Sequence, residues 1–316
     1  MIQELFSLEG RVALVTGAAS GMGRAMALAF ADAGADLLIA DINVEGLGAT
    51  AAEIEALGRR ALPVTCDVTD IAQIRAMFKR LDSEFGRIDV LANVAGPGEL
   101  ATPEDIDLAL MADVVHGLTV ARFCCCQEAG RRMLAAGAGS IINMCSIGGV
   151  SALGRGNFPY SVGMGGVAQM TRELSAEWSG RGLRVNAILP AQVINPALEE
   201  RMQVDEQLEA QFLSGIPIGR LGRPEDIAGL AVFLAADASS WITGALIPFD
   251  GGNLALNAGG TPGPSAPPIP EGQCLRDPAP SPTRREGELG DDKPVCRCEV
   301  TPVGNRAFMS LRHGRN

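Results

Sequence analysis

The chain has 316 residues, a formal net charge of −11 and a hydrophobic fraction of 47%. This hydrophobic fraction can build a sizeable core, which excludes wholly disordered, collagen-like and coiled-coil chains. The acidic balance argues against a nucleic-acid-binding protein or a protein held at a membrane surface by basic residues.

The beginning of the chain, MIQELFSLEG, lacks the basic and apolar segments of a signal peptide. No apolar run approaches the roughly 18 residues that a membrane-spanning helix needs. The eight cysteines do not follow the spacing of a disulfide framework, so we expect free thiols. These features predict a cytoplasmic protein that has no membrane partner.

Residues 8–256 alternate short apolar segments with longer segments of helical periodicity. Seven apolar segments predict buried parallel strands: 11–16, 36–40, 61–65, 90–94, 140–145, 184–189 and 245–249. Helical spacing predicts helices over 22–33, 44–57, 71–85, 160–178 and 224–235. This alternation predicts one α/β domain, residues 1–256, with a doubly wound parallel seven-stranded sheet.

Residues 257–316 have a different composition and hold 10 of the 19 prolines. Stretches such as TPGPSAPPIPEG bury too little apolar surface to offset the entropy of ordering, which predicts a disordered tail. Cys296 and Cys298, with the distant Cys274 and His313, are too few for a metal site, so free thiols are predicted there.

A glycine-rich turn, TGAASGMG, joins the first predicted strand to the first long helix. Its Gly17, Gly21 and Gly23 allow the backbone to turn tightly and to approach a pyrophosphate, and the helix N-terminus offers free N–H groups. Glycines serve many turns, but this position between a strand and a helix indicates a dinucleotide site.

Asp41 ends the second predicted strand, about 20 residues beyond the glycine turn, where a carboxylate can bind both ribose hydroxyls. Neither Ser20 nor Ile42 offers a cation for a 2′-phosphate, so the sequence favours NAD over NADP. An ordinary turn residue at a strand end is the alternative for Asp41. Its placement together with the glycine turn favours the cofactor role.

Together, these motifs resemble those of the short-chain dehydrogenase/reductase family over about residues 7–253. The segments that carry the resemblance are the glycine turn, Cys66-Asp67-Val68, Asn93-Val94-Ala95-Gly96, Arg184-Val185-Asn186-Ala187 with Pro190, GRPEDIA at 222–228, and Ile242-Thr243-Gly244 with Asp250-Gly251-Gly252. The resemblance implies a Rossmann fold, a nicotinamide cofactor and a homo-oligomer, commonly a tetramer.

The resemblance also implies which residues bind the cofactor. These are Gly17, Ser20, Gly21, Met22, Gly23, Asp41, Asp67, Val68, Asn93, Ala95, Gly96, Tyr160, Pro190, Val193 and Asn195. Asp67 and Val68 would contact the adenine ring. Asn195 stands where a threonine of the family usually contacts the carboxamide.

For catalysis, the resemblance implies hydride transfer between a nicotinamide and an alcohol or carbonyl group. Ser146 is similar to the family's substrate-binding serine, and Tyr160, the one tyrosine of the chain, to its proton-exchanging tyrosine. Met164 stands at the position of the family's lysine and Leu118 at that of its asparagine. Methionine offers neither charge nor donor, so we expect a slower proton relay unless another cation fills in.

Other residues near these positions have less specific interpretations. Arg155, between Ser146 and Tyr160, is a candidate for the missing cation, although a loop arginine is more often a solvated surface charge. His116 diverges from Leu118 around the helix and is poorly placed to replace the asparagine. The run Cys124-Cys125-Cys126 predicts core and interface packing.

Three functions are compatible with the sequence. The leading one is an NAD-dependent oxidoreductase of a secondary alcohol or ketone, with Tyr160 as acid/base and Ser146 as the group that binds the substrate oxygen. Residues 192–215 predict a mobile lid over an apolar pocket, which favours an apolar substrate. The alternatives are a cofactor-binding, non-catalytic or structural subunit and, third, a non-redox lyase on the same scaffold.

Overall fold

A computed structural model describes residues 1–256 and contains a parallel sheet of seven strands. The strands are β1 (Val12–Thr16), β2 (Asp36–Asp41), β3 (Ala61–Thr65), β4 (Val90–Asn93), β5 (Gly139–Met144), β6 (Leu183–Pro190) and β7 (Leu246–Phe249). Their order in the sheet is β3-β2-β1-β4-β5-β6-β7. The predicted doubly wound fold is confirmed, and the predicted tail 257–316 lies outside the described residues.

Helices cover both faces of the sheet. In the described part of the chain they are α1 (Ile2–Phe6), α2 (Gly21–Asp32), α3 (Val44–Ala56), α4 (Ile71–Glu84), α5 (Leu108–Val115), α6 (Ala121–Ala136), α7 (Phe158–Trp178), α8 (Pro196–Val204), α9 (Leu208–Leu213) and α10 (Ala228–Ala235). The helix predicted over 224–235 is a 3-10 turn, Pro224–Ile227, followed by α10. Helical periodicity alone does not separate these two geometries.

The central strands are apolar throughout because both of their faces are covered. Every residue of β1 and β4 is buried, whereas the edge strands β3 and β7 are partly exposed. Phe30 of α2 packs on one face and Phe78 of α4 on the other, and neither has exposed surface. This burial on two faces is typical of parallel sheets.

The strand order reverses next to β1, whose neighbours are β2 and β4. The chain leaves β1 toward one half of the sheet and β4 toward the other half. Ligands of doubly wound sheets bind in the crevice that such a reversal opens at the carboxyl ends of the strands. The fold therefore places the loops after β1 and β4 side by side at a candidate binding edge.

One continuous helical segment, Leu108–Ala136, consists of α5, a π-helical turn at His116–Val120 and α6. It has 29 residues, and an 18-residue window within it has a mean hydropathy of 1.5, so by length and composition alone it is sufficient to cross a membrane. The sequence-based expectation that no apolar run approaches this length therefore does not hold for this segment. Cys125, Cys126 and Met133 of α6 are fully buried against the sheet, and the core helix of a globular domain passes the same test.

Candidate active site

The glycine-rich turn is shaped by backbone contacts that side chains would block. Gly17 has a φ of 72°, in the left-handed region that favours glycine. A Cβ atom on Gly23 would collide with the carbonyl group of Gly17. The hydroxyl of Thr16 accepts hydrogen bonds from the N–H groups of Val94 (3.0 Å) and Ala95 (3.2 Å), which fixes the loop after β4 beside the turn.

Helix α2 begins at this turn and directs its first amides toward it. The first intrahelical bond runs from the N–H of Arg24 to the carbonyl of Ser20 (3.1 Å), so the N–H groups of Gly21, Met22 and Gly23 precede it. The Ser20 side chain does not cap the helix. A Cβ atom on Gly21 would meet nothing within 4 Å, so open space borders the turn. Free amides beside open space fit the pyrophosphate of a dinucleotide.

Asp41 lies at the end of β2 with its carboxylate held in place. One oxygen accepts from the N–H of Ala19 (3.0 Å) and the other from the N–H of Asn43 (2.9 Å). The carboxylate therefore lies against the glycine turn, where its remaining lone pairs fit ribose hydroxyls. The nearby Arg24 is paired with Glu53 at 2.5 Å, and Ile42 is exposed.

The predicted adenine segment lies next to Asp41, because the N–H of Cys66 donates to the Asp41 carbonyl (3.0 Å). Within it, the Asp67 carboxylate accepts from the N–H and the hydroxyl of Thr69, both at 2.8 Å. Asn93 differs from the other predicted cofactor residues, since its buried side chain donates to the carbonyl of Arg122 (2.9 Å). Any contact of Asn93 with a cofactor would therefore involve its backbone atoms.

Pro190, Val193 and Asn195 follow one another along the chain where β6 ends. The N–H of Ile194 donates to the carbonyl of Gly222 (2.8 Å), which fixes this segment to the loop before Pro224. The Asn195 side chain accepts from the N–H of Leu198 and donates to the carbonyl of Val193, both at 3.0 Å. Its amide thereby caps α8 as well as facing the cavity described below.

The structure brings the two predicted catalytic side chains together. Ser146 follows β5, and its hydroxyl accepts from the N–H of Gly148 (3.1 Å), while Tyr160 lies in the first turn of α7. Burial raises the pKa of Tyr160, whereas hydrogen bonding with Ser146 and the charge of Arg122 lower it by less. A phenol and a hydroxyl in contact are the groups that proton exchange with a substrate oxygen requires.

Apolar residues surround Tyr160 on the protein side. Met164, one helical turn after Tyr160, is 4% exposed, and Leu118 has no exposed surface. Both belong to a cluster with Cys145 and Ile147, against which Tyr160 packs. No ammonium group therefore occupies the α7 face next to the phenol. His116, by contrast, lies at the loop after β3, with Nε2 at 3.2 Å from the carbonyl of Thr69.

Arg122 on α6 is a site residue that the sequence analysis missed. It is 3% exposed, and its guanidinium donates to the carbonyls of Met144, Ala95 (2.7 Å) and Val94 (3.3 Å). Its Nε has no hydrogen-bond partner. The available signal was an arginine one helical turn after Leu118, on the same face of an otherwise apolar helix.

A cavity of about 340 Å³ opens in front of Tyr160. Its lining residues are Gly98, Leu100, Leu153, Arg155, Asn157, Tyr160, Ala191, Gln192, Val193, Asn195, Ala197, Leu198, Arg201, Leu208 and Phe212. The predicted lid supplies α8 and α9 to this lining. Arg155 lies over the ring of Phe212 at 5.0 Å, and no aspartate or glutamate of the described residues lines the cavity.

Arg155 also has an unusual backbone conformation. Its φ of 54° is the one positive value among the described non-glycine residues, and Gly154 and Gly156 beside it share the left-handed conformation. The N–H of Ala101 donates to the Gly156 carbonyl (2.7 Å) and so fastens this loop to the opposite wall. Such strain, of order 1–3 kcal/mol, clusters at functional sites.

Comparison with known proteins identifies relatives of this chain. Residues 17–253 match the protein-family model described as "Enoyl-(Acyl carrier protein) reductase". The chain is 40% identical to a D-threitol dehydrogenase of Mycolicibacterium smegmatis, over 78% of this chain and 94% of the relative. It is 39% identical to a cis-4-hydroxycyclohexanecarboxylate dehydrogenase of Sinomonas cyclohexanicum, over 78% and 97%. A crystal structure of a gluconate 5-dehydrogenase from Burkholderia cenocepacia, in complex with NADP and tartrate, matches with a TM-score of 0.75 and 30% identity, over 81% and 99%.

Proposed function

This chain belongs to the short-chain dehydrogenase/reductase family, and we propose that it is an NAD-dependent oxidoreductase of a secondary alcohol and its ketone. The observation that carries the proposal is the contact of Ser146 with Tyr160 at the sheet edge that also holds the glycine turn and Asp41. The dehydrogenases among its relatives support the class of reaction.

A bound nicotinamide would supply or accept the hydride. The phenolic oxygen of Tyr160 would take the hydroxyl proton when an alcohol is oxidised and return it when a ketone is reduced. Ser146 would hold the same substrate oxygen by a hydrogen bond. Because burial raises the Tyr160 pKa, oxidation should depend on alkaline pH, whereas reduction needs only the neutral phenol that prevails at neutral pH.

NAD is the proposed cofactor because Asp41, at the end of β2 beside the glycine turn, would lie next to a 2′-phosphate. Its carboxylate would repel that phosphate, and the nearby Arg24 is engaged by Glu53. A related structure contains NADP, so the preference is a proposal about this chain's own residues.

For the substrate, we propose an alcohol with an apolar body and a carboxylate. The cavity walls include Leu153, Leu198 and Phe212, as an apolar substrate requires, but they also carry Arg155 and Arg201 without any acidic lining residue among those described. Neither arginine forms an ion pair with a described carboxylate. A relative named for a hydroxycyclohexanecarboxylate and a structure that contains tartrate support an acidic substrate.

The catalytic proposal is tested by following the absorbance of reduced nicotinamide with a panel of secondary alcohols and ketones. Tyr160→Phe should lower kcat by about 10²- to 10⁴-fold, because it removes the proton-exchanging group and keeps the ring. Its NAD affinity, measured by calorimetry, should fall by far less than kcat, since Tyr160 is one of many predicted cofactor contacts. Cofactor binding without turnover of any compound would favour the non-catalytic subunit. Met164 and Leu118, at the positions of the family's lysine and asparagine, are the residues that support this alternative. Product without a change in nicotinamide would favour the lyase.

The substrate proposal is tested with pairs of a hydroxy acid and its neutral amide. Arg155→Gln and Arg201→Gln should each raise KM for the acid about tenfold, the equivalent of one lost charged contact. The amide should respond little, since it makes no ion pair. Equal KM changes for the acid and the amide would contradict an anion-binding role for these arginines.

We also propose a homo-oligomer, a tetramer or a dimer, and a cytoplasmic location. Apolar side chains exposed on the outer faces of α6 and α7, Phe123 and Val162, support a partner surface of the same chain. Light scattering of the purified protein tests this assembly, and a monomer at micromolar concentration would contradict it.

A further inference from the structure

We propose that Arg122 supplies the positive charge that stabilises the Tyr160 phenolate, in place of an ammonium group on α7. This inference rests on the proposed function, in which Tyr160 exchanges a proton with the substrate. It assigns to a residue of α6 the electrostatic task that Met164 cannot perform. Arg122 thereby becomes a positioning residue that acts through Tyr160 and does not touch the substrate.

The guanidinium is fixed at the ends of two strands. One terminal nitrogen donates to the carbonyl of Met144, the last residue of β5, and the other to the carbonyls of Ala95 (2.7 Å) and Val94 (3.3 Å) after β4. Met144 lies two residues before Ser146, whose hydroxyl bonds with Tyr160. The charge is therefore held close to Ser146 and Tyr160 by backbone carbonyls at the end of β5 and just after β4.

This cation has no counter-ion in the described chain. Arg122 takes part in none of the ion pairs formed by residues 1–256, and its buried Nε has no partner. An unpaired buried charge is costly, so an anion formed nearby is favoured more strongly than it would be in water. Burial is the largest influence on the pKa of Arg122 and lowers it. The next largest is the charge of Tyr160, which raises the pKa of Arg122 just as Arg122 lowers the pKa of Tyr160.

The other titratable groups around the pair do not fill this role. Cys145 faces both residues, as Cys125 and Cys126 face Arg122, and burial raises the pKa of each thiol so that all three stay neutral. Arg155 and Arg201 face Tyr160 across the cavity, where water and salt screen their charges. Arg122 is thus the cation that acts on Tyr160 from within the protein.

Close packing keeps water away from this arrangement. A Cβ atom on Gly96 would lie 2.8 Å from the Nη2 of Arg122 and 2.9 Å from Cδ2 of Leu118, so the glycine makes room for both side chains. A Cβ atom on Gly163 would likewise lie 2.8 Å from Cδ1 of Leu118. Leu118 fills the space beside the guanidinium, which lowers the local dielectric constant and strengthens the effect of Arg122 on the phenol.

The experiment uses the fact that Tyr160 is the one tyrosine of the full chain. Its ionisation can be read directly from tyrosinate absorbance in the ultraviolet, by stopped-flow pH jumps recorded before the chain unfolds. Arg122→Gln keeps amide donors but removes the charge, and it should raise the titration midpoint by about one pH unit or more. Arg122→Lys keeps the charge and should titrate close to the native protein. Tyr160→Phe should abolish the signal.

A double variant separates the effect of charge from that of structure. Met164→Lys combined with Arg122→Gln should return the midpoint toward the native value, because an ammonium group then occupies α7. Circular dichroism at neutral pH shows that each variant is folded. If Arg122→Gln disrupts folding, the same comparison is made with Arg122→Lys against Arg122→His above pH 8, where the imidazole is neutral.

The outcomes distinguish this inference from the proposed function. Equal tyrosinate fractions in the native, lysine and glutamine proteins at every pH would overturn the role of Arg122, whatever the turnover. A shifted midpoint in Arg122→Gln, with the alkaline limb of the oxidation rate moving by the same amount, would support both. A shifted midpoint together with full activity of Tyr160→Phe would keep Arg122 as the charge near the phenol and refute the catalytic role of Tyr160.

Discussion

The proposed preference for NAD can be tested by changing one atom of the Asp41 carboxylate. Asp41→Asn keeps the shape and one acceptor oxygen but removes the charge. Both oxygens of Asp41 already accept backbone N–H groups, at 3.0 and 2.9 Å, so the side chain is fixed before the cofactor arrives. The ribose hydroxyls would therefore meet an ordered acceptor, and its loss should lower the affinity for NAD.

The expected magnitude follows from the number of bonds weakened. A hydrogen bond to a charged group contributes about 1.5–3 kcal/mol, and about 1.4 kcal/mol corresponds to a tenfold change in Kd. Asp41→Asn should thus weaken NAD binding by roughly 10- to 100-fold. NADP should bind the variant as well as or better than it binds the native protein, because the charge that repels the 2′-phosphate is gone.

Calorimetric titration with each cofactor measures both effects. Asp36→Asn is the matched control. Asp36 lies at the other end of β2, away from the glycine turn, and pairs with Arg59 at 3.2 Å. It should leave both affinities unchanged. Tighter binding of NADP than of NAD by the native protein, or an equal loss of both in Asp41→Asn, would refute the reasoning.

Three further predictions concern packing and titration. Gly23→Ala places a methyl group against the preceding turn, so the free energy of unfolding in urea should fall by about 1–3 kcal/mol and NAD affinity should fall with it. Burial raises the pKa of Cys66 to about 11 and that of Cys126 to about 12, so peptide-resolved alkylation at pH 8 should leave both thiols unmodified in the folded protein; rapid labelling would contradict their burial. Hydrogen bonding from Arg132 lowers the pKa of Asp82, so this pair stabilises the fold above the unfolded pKa and the contribution is lost as the pH falls. Asp82→Asn should therefore lower the free energy of unfolding by about 0.5–1 kcal/mol at pH 7. The difference between native and variant proteins should shrink as the pH falls below about 4, where Asp82 becomes protonated. A difference that persisted in acid would exclude the Asp82–Arg132 pair as its cause.

The sheet could be predicted from the sequence because each strand carries its own signal. Buried strands such as β1 and β4 are apolar on both faces, and turn residues mark their ends within one residue of the observed bounds. The glycine turn is equally local, since φ values and close backbone approach demand glycine at fixed spacing. Ser146 and Tyr160 were found by family resemblance, and their contact depends on how β5 and α7 pack.

Arg122 could not be predicted in the same way. Its partners are backbone carbonyls at the ends of β4 and β5, and carbonyl groups leave no mark on the sequence. Its importance also depends on Leu118 and Met164, which the sequence shows only as apolar residues. The cationic part of the cavity was missed for a related reason, because Arg201 lies on α8 and meets Arg155 at the cavity only in the folded chain.

The π-helical turn at His116–Val120 has a consequence for how this enzyme can diversify. Such a wide turn contains one residue more than ordinary helical spacing requires, so α5 and α6 are out of phase along one rod. A single deletion there would rotate α5 by about 100° while leaving α6 seated on the sheet. The loop that leads into α5 contributes Gly98 and Leu100 to the cavity in front of Tyr160. Insertions or deletions in this turn can therefore change the shape of the cavity entrance and leave the cofactor-binding half of the domain intact.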